Sequence, residues 1–302
     1  MAKIISVNAG SSSLKFQLFE MDDESVITSG VIERIGLEDS IFTIKYDGKK
    51  TVTTSPIKDH KVAVELLLDT LIEKGIVKDL DEIKGVGHRV VQGGAYFDSS
   101  VIIDEDVVNK IDELKSLAPL HNPAHLTGYY AFKEAIPNAG AVAVFDTAFH
   151  QTLEPKCYIY PIPYKYYTDY KVRKYGAHGT SHYYVSRRCI EMLGNPEHSK
   201  IIVAHLGAGG SLTAIKDGKS VNTSMGFTPL AGIMMGTRSG DVDPSVIDYL
   251  IEEVGMDMKE VIKMLNKESG LLGISGISSD FRDVQNAAIE GNERAQLAID
   301  IF

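Results

Sequence analysis

Two stretches far apart in this chain follow one plan. Lys3-Ile4-Ile5 and Lys200-Ile201-Ile202 each open an apolar strand, and seven residues after each lysine stands a glycine, Gly10 or Gly207, within a turn of small residues. After the first turn the alternation resumes, with Leu14, Phe16 and Leu18 on one face and Lys15 and Gln17 on the other. Period-two alternation on both sides of a short Gly/Ser turn predicts a β-hairpin. The second stretch runs through His205-Leu206-Gly207-Ala208-Gly209-Gly210 into a strand over 211–216. A supersecondary unit repeated at such a distance predicts two related domains.

The remaining pattern fills in both halves. Strands are expected over 25–33, 41–46 and 51–54, then a helix over 60–74 with Val64, Leu67, Leu68 and Leu71 at helical spacing and Gly75 as its stop. A strand over 82–91 ends in Gln92-Gly93-Gly94, followed by helices over 105–117 and 123–135 and a strand over 141–145. Strands first, then strands alternating with helices, predict an α/β fold with mixed sheets flanked by helices. Residues 151–175 are rich in Tyr and Pro, which places the boundary near 150 and gives domains 1–150 and 151–302. The second half is expected to hold a helix over 181–193, strands over 200–205 and 211–216, and helices over 244–254, 258–267, 280–290 and 292–302. The last carries Ala295, Leu297, Ala298 and Ile301 but no capping glycine or basic last turn, so the sequence reads as stopping inside a helix, with its C-terminal end missing.

Composition narrows the function. At 302 residues and 44% hydrophobic, the chain is long enough for two cores. Lys+Arg number 31 against 41 Asp+Glu, a net charge of −10 that argues against a nucleic-acid partner. A small anionic substrate stays open, because a few placed cations make a locally positive cleft. Cys157 and Cys189 have no metal-site or disulfide spacing and are expected as reduced thiols. The N-terminus lacks a signal-peptide core and no apolar run is long enough to cross a bilayer, so the expected location is the cytoplasm.

Several groups could carry chemistry. Around Gly10, the turn Ser11-Ser12-Ser13 offers backbone N–H groups and hydroxyls to a phosphate, with Asn8 before it and Lys15 after it. An ordinary hairpin turn with a surface lysine has the same appearance. The glycine-rich turn at 205–210 repeats the design, and two such turns facing each other would clamp a polyphosphate. Neither is a Walker A loop or a Rossmann fingerprint, since a strand and not a helix follows each. Arg89 ends a strand before Gly93-Gly94, and Arg238 lies between Gly236 and Gly240. A guanidinium fork suits carboxylate and phosphate, though Arg89 reads equally as a surface salt-bridge partner. Histidines gather at turns: His121, His150, His178 and His182. Asp146 directly follows the strand over 141–145, where open sheets put ligand chemistry, and could hold Mg²⁺ or cap the next segment.

Taken together, these motifs resemble the acetate kinase family, in the acetate-and-sugar-kinase, actin and heat-shock ATPase superfamily. The residues that carry the resemblance are Asn8 to Lys15, Gly87-His88-Arg89-Val90-Val91, Pro119-Leu120-His121-Asn122-Pro123, Val144 to His150, Tyr175 to His182, Thr223 to Pro229, Met235 to Gly240 and Asp280 to Asp283. The resemblance implies two ribonuclease-H-like domains with a nucleotide cleft between them. It implies reversible, direct in-line transfer of the γ-phosphoryl group of ATP to acetate with Mg²⁺ (or Mn²⁺), by a homodimer. It assigns Asn8 and Asp146 to the metal, with Asp146 the essential acid. Arg89 would bind the substrate carboxylate, and His178 and Arg238 would stabilise the transition state. Val91, Leu120, His121, Pro229 and Ala177 would line the acyl site. Ser11, Ser13, Lys15, His205, Leu206, Gly207, Ala208, Gly209, Asp280, Phe281 and Arg282 would contact ATP or ADP. The sequence departs from the family at Ala208, usually Asn, at Ala177, usually Phe, and at Gln92, usually His. Ala177 is expected to leave room for propionate or butyrate. The absent C-terminal segment, which in the family carries a third glycine-rich loop and a metal-holding Glu, is expected to leave this chain inactive. The competing readings are a phosphohydrolase of polyphosphate or nucleotide and a non-enzymatic nucleotide switch.

Overall fold

The structure, a computed structural model, describes residues 2–119 and 121–302. The chain divides into two compact units, Met1–Ala148 and Phe149–Phe302.

In the first unit the strands are β1 (Lys3–Gly10), β2 (Ser13–Glu20), β3 (Ser25–Glu33), β4 (Ser40–Tyr46), β5 (Lys49–Ser55), β6 (Ile83–Val90), β7 (Val101–Ile102) and β8 (Gly140–Phe145). The helices are α1 (His60–Glu73), α2 (Glu105–Glu113) and α3 (Asn122–Ala135). Among the described residues, one eight-stranded mixed sheet runs in the order β5-β4-β3-β2-β1-β6-β8-β7. The meander β1 to β5 is antiparallel, and β6 joins β1, and β8 joins β6, in parallel. Alternation does the work in β1 and β2: Ile5, Val7, Ala9, Leu14, Phe16 and Leu18 are buried on one face, against Val64, Leu67, Leu68 and Leu71 of α1 and Phe132 of α3. Asp59 starts α1 by accepting from Val62 N at 3.0 Å, a cap that contributes about 1 kcal/mol. A second cluster of Val90, Phe97, Val107, Ile111, Ala143 and Phe145 lies under the ends of β6 and β8.

The expected helix over 105–117 is α-helical only to Glu113 and tightens into a 3₁₀ turn at Leu114–Ser116. Ile83 begins β6 because Leu80–Glu82 forms another 3₁₀ turn, capped by Asp79.

The second unit holds β9 (Lys200–Leu206), β10 (Gly210–Lys216) and β11 (Lys219–Thr223), antiparallel in the order β11-β10-β9. Its helices are α4 (Pro155–Tyr158), α5 (Lys165–Tyr170), α6 (Gly179–Met192), α7 (Pro244–Glu252), α8 (Met258–Lys267), α9 (Gly270–Ser275), α10 (Phe281–Ile289) and α11 (Glu293–Ile301). Helix α6 packs beside β9. Leu271, Val284, Ala295 and Ala298 join α9, α10 and α11 around one small core. The hairpins β1–β2 and β9–β10 are both present, so a glycine-bearing turn stands at the same place in each unit.

Candidate active site

In the first unit, the parallel pairing of β6 with β8 sets Val90 beside Phe145, so the C-terminal ends of the two strands emerge together. Arg89 on β6 and Asp146 just beyond β8 therefore meet. Arg89 Nε donates to Asp146 Oδ1 at 3.0 Å and Nη2 to Oδ2 at 2.6 Å. Nη1 donates to Asn8 Oδ1 at 3.3 Å. The Asp146 side chain is 3% exposed and that of Arg89 36%, so the acid is enclosed while the guanidinium reaches solvent. Asp146 N donates to Val90 O at 2.9 Å, which fixes the acid to the strand end.

Asn8 is half-buried and pairs across the hairpin with Lys15, whose side chain is exposed. Ser11 is exposed at the turn and Ser13 half-buried. The turn is held by a residue that sequence reasoning missed: His60 Nε2 donates to Gly10 O at 2.7 Å from the first residue of α1. Gln92 is buried and local, its Oε1 accepting from Gly94 N at 2.8 Å, with Asn122 bonded to its backbone at 3.0 and 3.2 Å. Val91 is buried and His121 half-buried, and Leu120 lies outside the described residues.

In the second unit, His178 occupies the N-cap of α6 in the left-handed region, φ 56°. A non-glycine residue there is uncommon and marks a side chain aimed by its surroundings. Its Nδ1 lies 2.9 Å from Ser211 Oγ, and its ring stacks on His205 with centroids 4.1 Å apart. His205 Nδ1 in turn lies 2.8 Å from Ser181 Oγ. A Cβ added at Gly209 would stand 3.4 Å from Arg238 Nη1 and 3.5 Å from His178 Nε2. Arg238 and His178 thus converge over the second glycine-rich turn, where Gly209 contributes no side chain.

Arg238 has no acidic partner among the described residues. Nη1 donates to Pro229 O at 3.1 Å, and burial pulls the guanidinium pKa down. Its loop is tied by main-chain bonds: Met235 N to Arg238 O, Leu271 N to Met235 O, Leu272 N to Gly236 O, Ser269 N to Thr237 O and Ser239 N to Leu265 O, all at 2.9–3.0 Å. Gly236 N also donates to Ala208 O at 3.1 Å, which joins this loop to the glycine-rich turn. Gly270, at φ +62°, lies against the loop so closely that a Cβ would fall 2.0 Å from Met235 O.

Leu206, Gly207 and Ala208 are exposed, leaving the backbone of the turn accessible. Asp280 caps α10 by accepting from Arg282 N at 2.9 Å and also holds the Arg282 side chain at 2.6 and 3.0 Å, which drops the Asp280 pKa to about 2. Phe281 rests on Phe302, centroids 5.4 Å apart.

Ala177 directly precedes His178. It is buried in one cluster with Met225 and Met235, both fully buried. Methionine is unbranched and adaptable, so two pliable side chains stand beside Ala177.

Among the described residues, no group of three or more His, Cys, Asp or Glu side chains is placed to hold a metal ion. Asn8 and Asp146 present hard oxygen donors, and the Arg89 fork uses only two of the four lone-pair directions of the carboxylate. Such a pair fits a cation that keeps water and phosphate oxygens as its other ligands, as Mg²⁺ does. No described helix is long and apolar enough to cross a membrane.

The mixed sheet flanked by helices is an α/β architecture shared with solved structures. A crystal structure of acetate kinase from Porphyromonas gingivalis superposes with a TM-score of 0.95 at 44% identity, covering 100% of this chain and 77% of that one. One of a propionate kinase from Francisella tularensis subsp. tularensis SCHU S4 gives 0.95 at 45% identity, with the same coverage. An acetate kinase from Geobacillus kaustophilus is 58% identical, over 100% of this chain and 76% of its own length. The model of the acetokinase family matches residues 3–302. The chain belongs to the acetokinase family, a family of ATP-dependent carboxylate kinases.

Proposed function

We propose that this protein moves the γ-phosphoryl group of ATP reversibly onto acetate or another short-chain carboxylate, giving ADP and an acyl phosphate. A substrate carboxylate oxygen forms the new P–O bond in line as the bond to the β-phosphate oxygen breaks. The observation that carries this reading is the Arg89 fork, held by Asp146 and Asn8 and still open to solvent. It suits a carboxylate, which takes two parallel hydrogen bonds from one guanidinium.

Arg89 binds the substrate, and Asp146 orients Arg89. His178 Nε2 and Arg238 donate to the equatorial oxygens, where charge spreads in a loose transfer. Backbone N–H groups of Gly207, Ala208 and Gly209, with Ser11, Ser13, Lys15 and His205, take the phosphates, and Asp280 to Arg282 take the nucleoside side. Val91, His121, Pro229 and Ala177 sort the acyl group. Mg²⁺ (or Mn²⁺), held by Asn8 and Asp146, neutralises phosphate charge when bound. The same reading carries a homodimeric, cytoplasmic enzyme.

The test is a hydroxamate assay for acyl phosphate run beside an ATPase assay. Acetyl hydroxamate formed in step with ADP supports the kinase and would overturn the expectation of an inactive chain. ADP released without hydroxamate would assign the protein to the phosphohydrolases, and nucleotide binding without turnover to the switches. The comparisons favour neither alternative.

A further inference from the structure

Ser211 stands where two histidines meet. It is the second residue of β10 and fully buried, with Oγ 2.9 Å from His178 Nδ1 and 2.7 Å from His182 Nε2. A hydroxyl has one proton, so between two neutral rings it donates to one and accepts from the other. His182 decides the direction. Its Nδ1 is buried and has no hydrogen-bond partner among the described residues. If that nitrogen carried the ring proton, a donor would be buried without an acceptor, which native structures avoid more strictly than an under-used lone pair. The proton therefore sits on Nε2. His182 also holds just one proton, because burial first, then the neighbouring His150, His178 and His205, push its pKa down to about 3.

The rest follows by donor counting. His182 Nε2–H donates to Ser211 Oγ. The Ser211 proton is then turned toward His178 Nδ1, which must accept. The proton of neutral His178 is left on Nε2, the edge that lies over Gly209 beside Arg238 Nη1. In the reverse direction His178 would carry its proton on Nδ1 and present a lone pair to an anionic phosphoryl group. A protonated His178 would need Ser211 to accept from both rings and find a third partner for its own proton.

We propose that His182 and Ser211 form a two-residue relay that fixes His178 as the Nε2–H tautomer, making both of them positioning residues for phosphoryl transfer. This rests on the reading of His178 as a donor to the transferring group. The relay would explain why two polar side chains with no reach to substrate lie fully enclosed between α6 and β10.

The test uses the whole chain labelled with ¹⁵N-histidine, whose long-range proton–nitrogen spectra report each ring's tautomer directly. The expected result is Nε2–H for both His178 and His182 in the unsubstituted protein, a measurement that needs no variant to fold. In Ser211→Ala, the His178 signals should shift toward a mixture of tautomers. Turnover should fall about 10- to 100-fold, the scale of removing an orienting partner from a functional histidine, with KM little changed. Ser211→Thr, which keeps the hydroxyl, should recover both. Finding Nδ1–H on His178, or an unaltered His178 tautomer in Ser211→Ala, overturns the relay. His178→Ala separates the two claims. If it keeps full turnover while the tautomer pattern is as expected, the catalytic reading of His178 fails and the hydrogen-bond relay stands.

Discussion

Asp146 offers both carboxylate oxygens to one guanidinium, Oδ1 to Arg89 Nε at 3.0 Å and Oδ2 to Nη2 at 2.6 Å. The acid is enclosed and the arginine is partly open, so the pair orients a cation toward solvent instead of neutralising it out of sight. Arg89→Lys keeps the charge and loses the fork, so it should cost turnover nearly as much as Arg89→Ala, about 10²–10³. Arg89→Ala should also destabilise the first unit by roughly 3 kcal/mol, since it strands a buried carboxylate. Adding Asp146→Asn should restore stability in urea titrations but not activity. Near-normal turnover in Arg89→Lys would refute the fork argument.

Arg238 has no acidic side chain to satisfy among the described residues, so its replacement leaves no orphan charge there. We expect Arg238→Ala to lower turnover by about 10²–10³ with an unchanged circular dichroism spectrum and thermal midpoint. Turnover close to that of the unsubstituted protein would remove Arg238 from the mechanism.

Buried histidines make stability depend on pH. Burial lowers the pKa of His88 to about 4, and burial followed by the Arg89 charge lowers that of His125 to about 4. The native state keeps both rings neutral after the unfolded chain, with histidine near 6.5, has bound protons. The contribution of these two rings should therefore be flat above pH 6.5, fall as pH drops from 6.5 toward 4, and level off below that, while His182, neutral to about 3, extends the fall. Each ring adds a limiting slope of about 1.4 kcal/mol per pH unit. His88→Phe, an aromatic replacement between Tyr129 and Phe132, should flatten the slope in urea titrations at pH 7, 6 and 5. An unchanged slope would show that His88 is protonated in the folded protein.

With Ala177 where the family usually has Phe, propionate is expected to be used at least as well as acetate by kcat/KM. Ala177→Phe should overpack the cluster, destabilising by about 1–3 kcal/mol, and Met225→Ala in the same chain should relieve part of that. Strictly additive losses in the double variant would separate Ala177 from Met225, and a preference for acetate over propionate of about tenfold or more would sink the enlarged-pocket reading.

Much of the sheet was legible because it alternates. In β1, Ile5, Val7 and Ala9 mark the inner face, and in α1 the spacing of Val64, Leu67, Leu68 and Leu71 admits only a helix. β11 escaped because Lys219-Ser220-Val221-Asn222-Thr223 is polar, its strand form imposed by the ladder with β10. α4 and α5 lie in the Tyr- and Pro-rich stretch, where no apolar period exists to read.

Arg89 and Asp146 could each be singled out as strand-end residues, but not as a pair, since 57 positions separate them and only the β6–β8 register joins them. His60 at the Gly10 carbonyl and Ser211 between two rings are contacts of the same long-range kind. The neighbours of Ala177 are also of this kind, since nothing in the sequence says which side chains, here two methionines, will stand beside it.

Gly270 has no side chain to offer any substrate, yet its α-hydrogen is all that the carbonyl of Met235 leaves room for, at a backbone angle other residues rarely adopt. The main-chain bonds that hold the Arg238 loop run through its neighbours Ser269, Leu271 and Leu272. In a survey of random variants, the reacting arginine would therefore share its intolerance with a chemically mute position more than thirty residues later in the chain. A genetic map of the protein read by chemistry alone would pass over that position, and its disabling alleles would look like folding defects with an unexplained loss of turnover.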